Sequence, residues 1–119
     1  MKDFRDLKVW ERGHCLTVAL YQETVRFPVE ERYGLTSQIR RAAASIPANI
    51  AEGCGRDGDA ELARFCRIAA GSASELDYHL FLAKDLGLLP QEAYDRLADE
   101  MTELRRMLTA FTNKLTAKS

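Results

Sequence analysis

The chain has 119 residues, which fits one domain and allows roughly two-thirds of the unfolded surface to be buried. Hydrophobic residues make up 46% and charged residues 29%, and the net charge of −1 excludes an overall attraction to nucleic acid or to anionic membranes. No apolar run approaches the ~20 residues that span a bilayer. The N-terminus "MKDFRDLKVW" also lacks the apolar centre of a signal peptide. We therefore expect a cytoplasmic protein without a membrane partner.

Four segments place apolar residues at steps of three and four, the spacing that puts side chains on one face of a helix. The predicted helices cover about residues 7–25, 35–53, 59–86 and 91–115. The stripe predicted for the first helix consists of Leu7, Trp10, His14, Val18, Tyr21 and Val25. The stripe of the second consists of Ile39, Ala42, Ala43, Ile46 and Ile50. The seven positions of the third are Leu62, Cys66, Ala69, Ala73, Leu76, Leu80 and Ala83, and those of the fourth are Tyr94, Leu97, Met101, Leu104, Leu108, Phe111 and Leu115.

Turn residues separate these segments, in "RFPVEERYG", "GCGRDG" and "GLLPQ", and no stretch alternates with period two over the length of a strand. Each helix needs a partner for its apolar stripe, and short loops join antiparallel neighbours. The sequence therefore predicts an all-α fold, an antiparallel up-down-up-down four-helix bundle that forms a single domain over residues 1–119.

The second helix has small residues on the side that a surface helix usually fills with charges. On a helical wheel with Ile39 at zero, Ala44, Ala48 and Ala51 fall between about 120° and 180°, opposite the apolar face. Alanine favours helices and tolerates water, so this back face could simply be exposed. We favour the alternative that a second subunit packs there. The candidate contact residues are Ala44, Pro47, Ala48 and Ala51.

Pro47 lies in the middle of this segment, where proline removes one backbone hydrogen bond and costs about 3 kcal/mol in an isolated helix. The helix could end near Ser45 and restart, with Pro47 in its first turn. The apolar residues Ile39, Ile46 and Ile50 keep the same helical spacing on both sides of Pro47, so we instead expect one helix bent at Pro47.

Three stretches give the chain a family resemblance: "FRDLKVW", "YGLTSQIRRAAASIPANIAEGCGR" and "ELARFCRIAAGSASELDYHLFLAKDLGLL". They resemble the bacterial four-helix bundle family encoded in intervening sequences of large-subunit ribosomal RNA genes. The resemblance implies assembly into five-fold rings. A related branch is an accessory protein that binds nucleic acid and the reverse transcriptase of diversity-generating retroelements. The resemblance carries over no catalytic residue, and its motifs map here to Ser45, Ile46, Asn49, Ile50, Glu52, Gly53, Gly71, Ser72, Glu75 and Leu76.

The reactive side chains form no catalytic or metal-binding pattern. Three cysteines are an odd number without metal-like or redox spacing, so reduced thiols are expected. The stretch "EGCGRDG" lacks the lysine of a phosphate-binding loop and the strand that precedes one. The Glu-x-x-His motifs of di-iron bundles are also missing. We expect neither an enzyme nor a cofactor.

Arginines near the second and third helices are the candidate contacts to nucleic acid: Arg40, Arg41, Arg56, Arg64 and Arg67. In a ring, copies of a modest patch would add up to a strong positive surface. The alternative is that these arginines form ion pairs with nearby glutamates and aspartates.

The sequence therefore predicts a non-catalytic, homo-oligomeric and pentameric bundle that acts as a nucleic-acid or ribonucleoprotein accessory factor. RNA, DNA and a reverse transcriptase or other protein are its candidate partners. The alternative function is a protein-binding scaffold without nucleic-acid contact.

Overall fold

The computed structural model describes residues 2–117 of the chain. Four long helices follow one another: α1 (Lys8–Thr24), α2 (Leu35–Cys54), α3 (Asp59–Asp85) and α4 (Gln91–Thr116). Each boundary lies within one residue of the sequence prediction. Two short 3₁₀ helices, Phe4–Asp6 and Val29–Glu31, were not predicted.

The helices form the predicted all-α bundle, with dimensions of 46 × 23 × 20 Å. Each helix packs against its neighbours in sequence, α4 closes the bundle against α1, and α2 makes its most extensive contact with α3. No strand occurs in the described part of the chain. Within that part, none of the helices combines the length and the apolar character needed to cross a membrane.

The core confirms the stripes predicted for three of the helices. All seven predicted positions of α3 are buried, from Leu62 to Ala83. In α4, Tyr94 and Phe111 are half-buried and the other five predicted positions are buried. All five positions predicted for α2 are buried, and the largest of these side chains are Ile39, Ile46 and Ile50.

The stripe predicted for α1 was right only at its start, where Leu7 and Trp10 pack against the core, and wrong further along. Val18, Tyr21 and Val25 are exposed, and His14 also lies on the outer surface. The face that packs on the bundle is a second, interleaved stripe at the same spacing, formed by Val9, Gly13, Leu16, Leu20, Glu23 and Thr24. Gly13 belongs to it because α2 approaches closely there. A Cβ atom on Gly13 would lie 3.3 Å from the Ile46 side chain and 3.6 Å from Cδ of Pro47.

Helix α2 continues through Pro47 without interruption, as predicted. A proline inside a helix leaves the carbonyl four residues earlier without its amide partner, and here that carbonyl belongs to Ala43. The hydroxyl Oγ1 of Thr17 on α1 lies 3.1 Å from this oxygen and can donate to it. The neighbouring helix thus supplies a donor for the acceptor that Pro47 leaves unpaired.

Candidate nucleic-acid and subunit interfaces

The five candidate arginines do not form one patch. Arg40 and Arg41 lie in the first two turns of α2, whereas Arg56 follows the end of this helix. Because a helix rises 1.5 Å per residue, about 22 Å of bundle separates Arg41 from Arg56. Arg64 and Arg67, near the start of α3, lie at the Arg56 end.

Arg40 is a structural residue that ties α2 to the end of α1. Its Nε donates to Thr24 Oγ1 at 2.8 Å, and its terminal nitrogen donates to the Tyr21 carbonyl at 3.1 Å. The guanidinium also lies 4.7 Å from the Tyr21 ring centroid. Carbonyls in the last turn of a helix lack intrahelical partners and carry partial negative charge, so a cation there stabilises the helix end.

Arg41 is exposed, and its guanidinium donates to the side-chain oxygen of Gln38 at 2.5 Å. Within residues 2–117, Arg41 has no carboxylate partner, and the same holds for Arg32 and Arg67. These three side chains keep charges that no acid of the described chain neutralises at short range.

Arg56 and Arg64 both lie near the buried Phe65 ring, with 5.1 and 4.6 Å between guanidinium and ring centroid. Each also forms an ion pair within its own segment, Arg56 with Glu52 at 2.8 Å and Arg64 with Glu61 at 3.0 Å. The hydrogen bond from Arg64 lowers the pKa of Glu61. This pair of arginines therefore follows the alternative reading, in which acids neutralise the charge.

Arg67 lies on the wall of a cavity of about 480 Å³ between the first turns of α3 and the last turns of α4. Ala60, Ala63 and Leu115 supply its apolar wall, and Asp59 contributes a carboxylate. The cavity thus combines opposite charges with an apolar surface.

The predicted back face of α2 is only partly covered by the subunit itself. Ala48 is exposed, and Ala44 and Ala51 are half-buried. Pro47 is buried, because its ring lies beside Gly13 of α1. The side chain of Pro47 therefore packs inside the subunit, and the surface available to a neighbour is the alanine row.

Two exposed residues of α3, Ile68 and Gly71, are also apolar or small and lie at a similar height along the bundle. Gly53 of α2 lies against Leu62 and Phe65 of α3. Because the two helices run antiparallel with the same rise per residue, Ala48, five residues before Gly53, lies at about the height of Ile68. The Ile68 side chain is 42% exposed. Gly71 faces directly away from the core, and a Cβ atom placed on it would meet no heavy atom within 4 Å.

The polar motif residues find partners inside their own helices. Asn49 donates to the Ser45 carbonyl at 2.7 Å, and Glu75 pairs with His79 at 3.0 Å. Both bonds run along a single helix, and neither joins α2 to α3.

The thiols show no catalytic environment. Cys15 is exposed, whereas Cys54 and Cys66 are buried and unpaired. Burial raises the pKa of Cys66 from its ordinary value of 9.0 to about 11, so this thiol is protonated at neutral pH. In the described residues, no three histidine, cysteine or acidic side chains are placed to hold a metal ion.

Comparisons with known proteins identify relatives of this chain. The family model of the 23S rRNA-intervening sequence protein matches residues 5–110. The chain belongs to this family. A solved structure from the S23 ribosomal protein family of Bacteroides thetaiotaomicron VPI-5482, a protein of unknown function, is also similar.

That structure aligns with a TM-score of 0.78 at 24% identity, over 87% of this chain and 97% of the other. At this level of identity the similarity supports the fold alone. No curated protein matches the chain significantly. The family match over residues 5–110 thus confirms the resemblance found in the sequence.

Proposed function

We propose that this intervening-sequence protein is a non-catalytic, homo-oligomeric bundle that acts in the cytoplasm as a nucleic-acid or ribonucleoprotein accessory factor. The observation that carries the proposal is the exposure of small and apolar residues on the outer sides of α2 and α3. Ala48, Ile68 and Gly71 are exposed at positions where surface helices usually carry charged side chains. Small residues let the helices of two subunits approach closely.

Gly71 gives the proposed contact between subunits its strongest support. Glycine inside a helix costs about 0.5–1 kcal/mol relative to alanine. At Gly53 that cost has a reason within the subunit, because a Cβ atom would lie 2.9 Å from the Phe65 Cβ. At Gly71 the subunit offers no such reason. A neighbouring subunit that packs on Gly71 would supply one. The five-fold ring of the family is the assembly that we propose.

The arginines without acidic partners support a nucleic-acid role within such a ring. Arg41 and Arg67 are exposed and keep their charges, although the whole chain has a net charge of −1. Five copies of a weakly binding patch in one ring would bind one strand together and so raise the overall affinity. Because the contacts are to phosphates, binding would depend strongly on salt concentration and only weakly on the nucleotide sequence. Arg56 and Arg64 would contribute less, because Glu52 and Glu61 neutralise them.

The test is a salt titration of binding to RNA and to DNA. The proposal predicts a linear fall of log affinity with log salt concentration, and Arg41→Ala should make that slope shallower by about one. Arg106→Ala is the matched control, since Arg106 is also an exposed arginine, on α4, and pairs with Glu103 at 2.6 Å. Absence of binding at low salt would contradict the nucleic-acid role.

A protein-binding scaffold is the second candidate, and a different surface favours it. Tyr78 and Leu86 are 59% and 57% exposed near the end of α3, where Phe81 is exposed as well. Clustered exposed apolar side chains are typical of protein contacts. Through its resemblance to the accessory branch, the family makes a reverse transcriptase the partner class to test. Binding to such a protein without any binding to nucleic acid would favour this scaffold role.

A further inference from the structure

The connection between α1 and α2 forms a basic and aromatic cleft that the sequence did not single out. The cleft has a volume of about 370 Å³ and lies at the Arg41 end of the bundle. Two exposed aromatic rings and three guanidinium groups surround it, from Tyr21, Arg32, Tyr33, Arg40 and Arg41. A second cleft of about 280 Å³ adjoins it, shares Arg32 and Arg40, and adds apolar side chains of residues 25–29.

The turn that builds the cleft is fixed by its own hydrogen bonds. The 3₁₀ helix Val29–Glu31 is followed by Gly34, whose amide donates to the Glu31 carbonyl at 3.0 Å. The Glu31 carboxylate accepts the first amide of α2, from Leu35, at 3.1 Å. This bond turns the acid toward the helix end and leaves Tyr33 projecting from the turn, with 90% of its surface exposed.

The charges of the cleft are not balanced by acids on its walls. Neither Glu30 nor Glu31 lines it. Glu23, at the end of α1, is buried and engaged by Arg26 at 3.5 Å and by Arg96 at 3.3 Å. Arg32 and Arg41 therefore face the cleft as cations without a carboxylate partner, while Arg40 is held against Tyr21 and the end of α1.

We propose that this cleft binds single-stranded nucleic acid, with Arg32 and Arg41 on the phosphates and one base stacked on Tyr33. This inference rests on the nucleic-acid role proposed above and assigns it to one end of the subunit. Guanidinium groups bind phosphate oxygens through two parallel hydrogen bonds. Exposed aromatic rings beside a basic groove are the platforms on which unpaired bases stack. In a duplex the bases are already stacked on one another, so single strands fit Tyr33 better.

The two candidate arginines Arg56 and Arg64, at the opposite end of the bundle, lack this combination. The ring near them, Phe65, is buried, and each guanidinium is paired with a glutamate. Neither an open ring nor an unpaired guanidinium is present in that pair. The Tyr33 cleft is therefore the better place for a base and its phosphates.

The experiment compares a single-stranded oligonucleotide of about 15 nucleotides with an abasic strand of the same length, both at low salt. Arg32→Gln and Arg41→Gln should weaken the binding of both strands several-fold, because both strands carry phosphates. Tyr33→Leu should weaken binding of the normal strand roughly tenfold and leave the abasic strand unchanged. Arg106→Gln is the control and should change neither affinity, because Arg106 is an exposed arginine on α4 that pairs with Glu103.

The outcomes separate this inference from the proposed function. If the wild-type protein binds the strand and all three variants bind equally well, the cleft is the wrong site and the accessory role remains. If Tyr33→Leu weakens both strands equally, base stacking is overturned. If the wild-type protein binds neither strand at low salt, the inference and the nucleic-acid role both fail.

Discussion

The hydroxyl of Thr17 lies 3.1 Å from the carbonyl oxygen of Ala43, the acceptor that Pro47 leaves without its amide partner. The same hydroxyl lies 2.8 Å from the Gly13 carbonyl in its own helix. Gly13 also gives the ring of Pro47 room to pack against α1. The proline in α2 is thus accommodated by two residues of α1, one that donates a hydrogen bond and one that lacks a side chain.

Replacing Thr17 by valine should destabilise the subunit by about 1–2 kcal/mol, since a half-buried carbonyl would then lose its donor while side-chain volume is kept. Urea unfolding measures the change. Thr102→Val is the matched control. Thr102 is exposed and bonds only to the Ala98 carbonyl of its own helix, so its loss should cost less than about 0.5 kcal/mol.

A double-mutant cycle tests whether Thr17 acts through Pro47. Pro47→Ala restores an amide that can donate to the Ala43 carbonyl. The cost of Thr17→Val should therefore be smaller in the Pro47→Ala background than in the wild-type protein. An equal cost in both backgrounds would show that Thr17 stabilises the fold for another reason.

Arg40 and Arg41 should differ in their effect on stability although they are adjacent in sequence. Arg40→Met removes a cation that bonds to Thr24 and to the last turn of α1, and should cost about 1–2 kcal/mol. Arg41→Met should change the free energy of unfolding by less than about 0.5 kcal/mol. Thermal or urea unfolding would distinguish them, and equal effects would contradict the capping role of Arg40.

Two glycines should respond in opposite directions to replacement by alanine. At Gly53 the new methyl would lie 2.9 Å from Leu62 and Phe65, and overpacking should cost about 1–3 kcal/mol. At Gly71 no atom is in the way, so a gain of about 0.5–1 kcal/mol is expected for the isolated subunit. Both should be measured in an Ala48→Glu background, so that assembly does not contribute. A loss of stability at Gly71 there would reveal an unrecognised contact within the subunit.

The buried thiol of Cys66 should make stability fall at alkaline pH. Its pKa is about 11 in the folded protein and near 9.0 when unfolded, so the folded state holds the proton more tightly. This contribution is fully present below about pH 9 and is lost as the pH rises toward 11. Cys66→Ala should lower the urea midpoint at pH 8. The difference in midpoint between this variant and the wild-type protein should become smaller near pH 10.5. A difference in midpoint that stays the same between these pH values would contradict the raised pKa of Cys66.

The sequence predicted the helices and three of the four packing faces because α2, α3 and α4 carry one uninterrupted apolar stripe each. It failed on α1, where two stripes of the same spacing interleave. The large residues Trp10, Val18 and Tyr21 marked one stripe, but the close approach at Gly13 selects the other. A glycine contributes no hydrophobic signal, so periodicity could not reveal that approach.

The candidate sites depend even more on contacts between distant parts of the chain. From sequence, the arginines of α2 and α3 are equivalent charges. The structure shows that Arg40 caps α1 and that Glu52 and Glu61 neutralise Arg56 and Arg64. The cleft forms only when the turn places Tyr33 so that it lines the same space as Tyr21, a residue that the sequence had assigned to the core.

The central claim, that a second copy covers the alanine row of α2, is tested most directly by the mass of the protein in solution. The wild-type protein should form an assembly of five 13.4 kDa chains, and Ala48→Glu should yield folded monomers because it places a charge in the contact. Ala110→Glu, at an exposed alanine of α4, should leave the assembly intact. A monomeric wild-type protein at high concentration, or an unchanged assembly of Ala48→Glu, would contradict the claim.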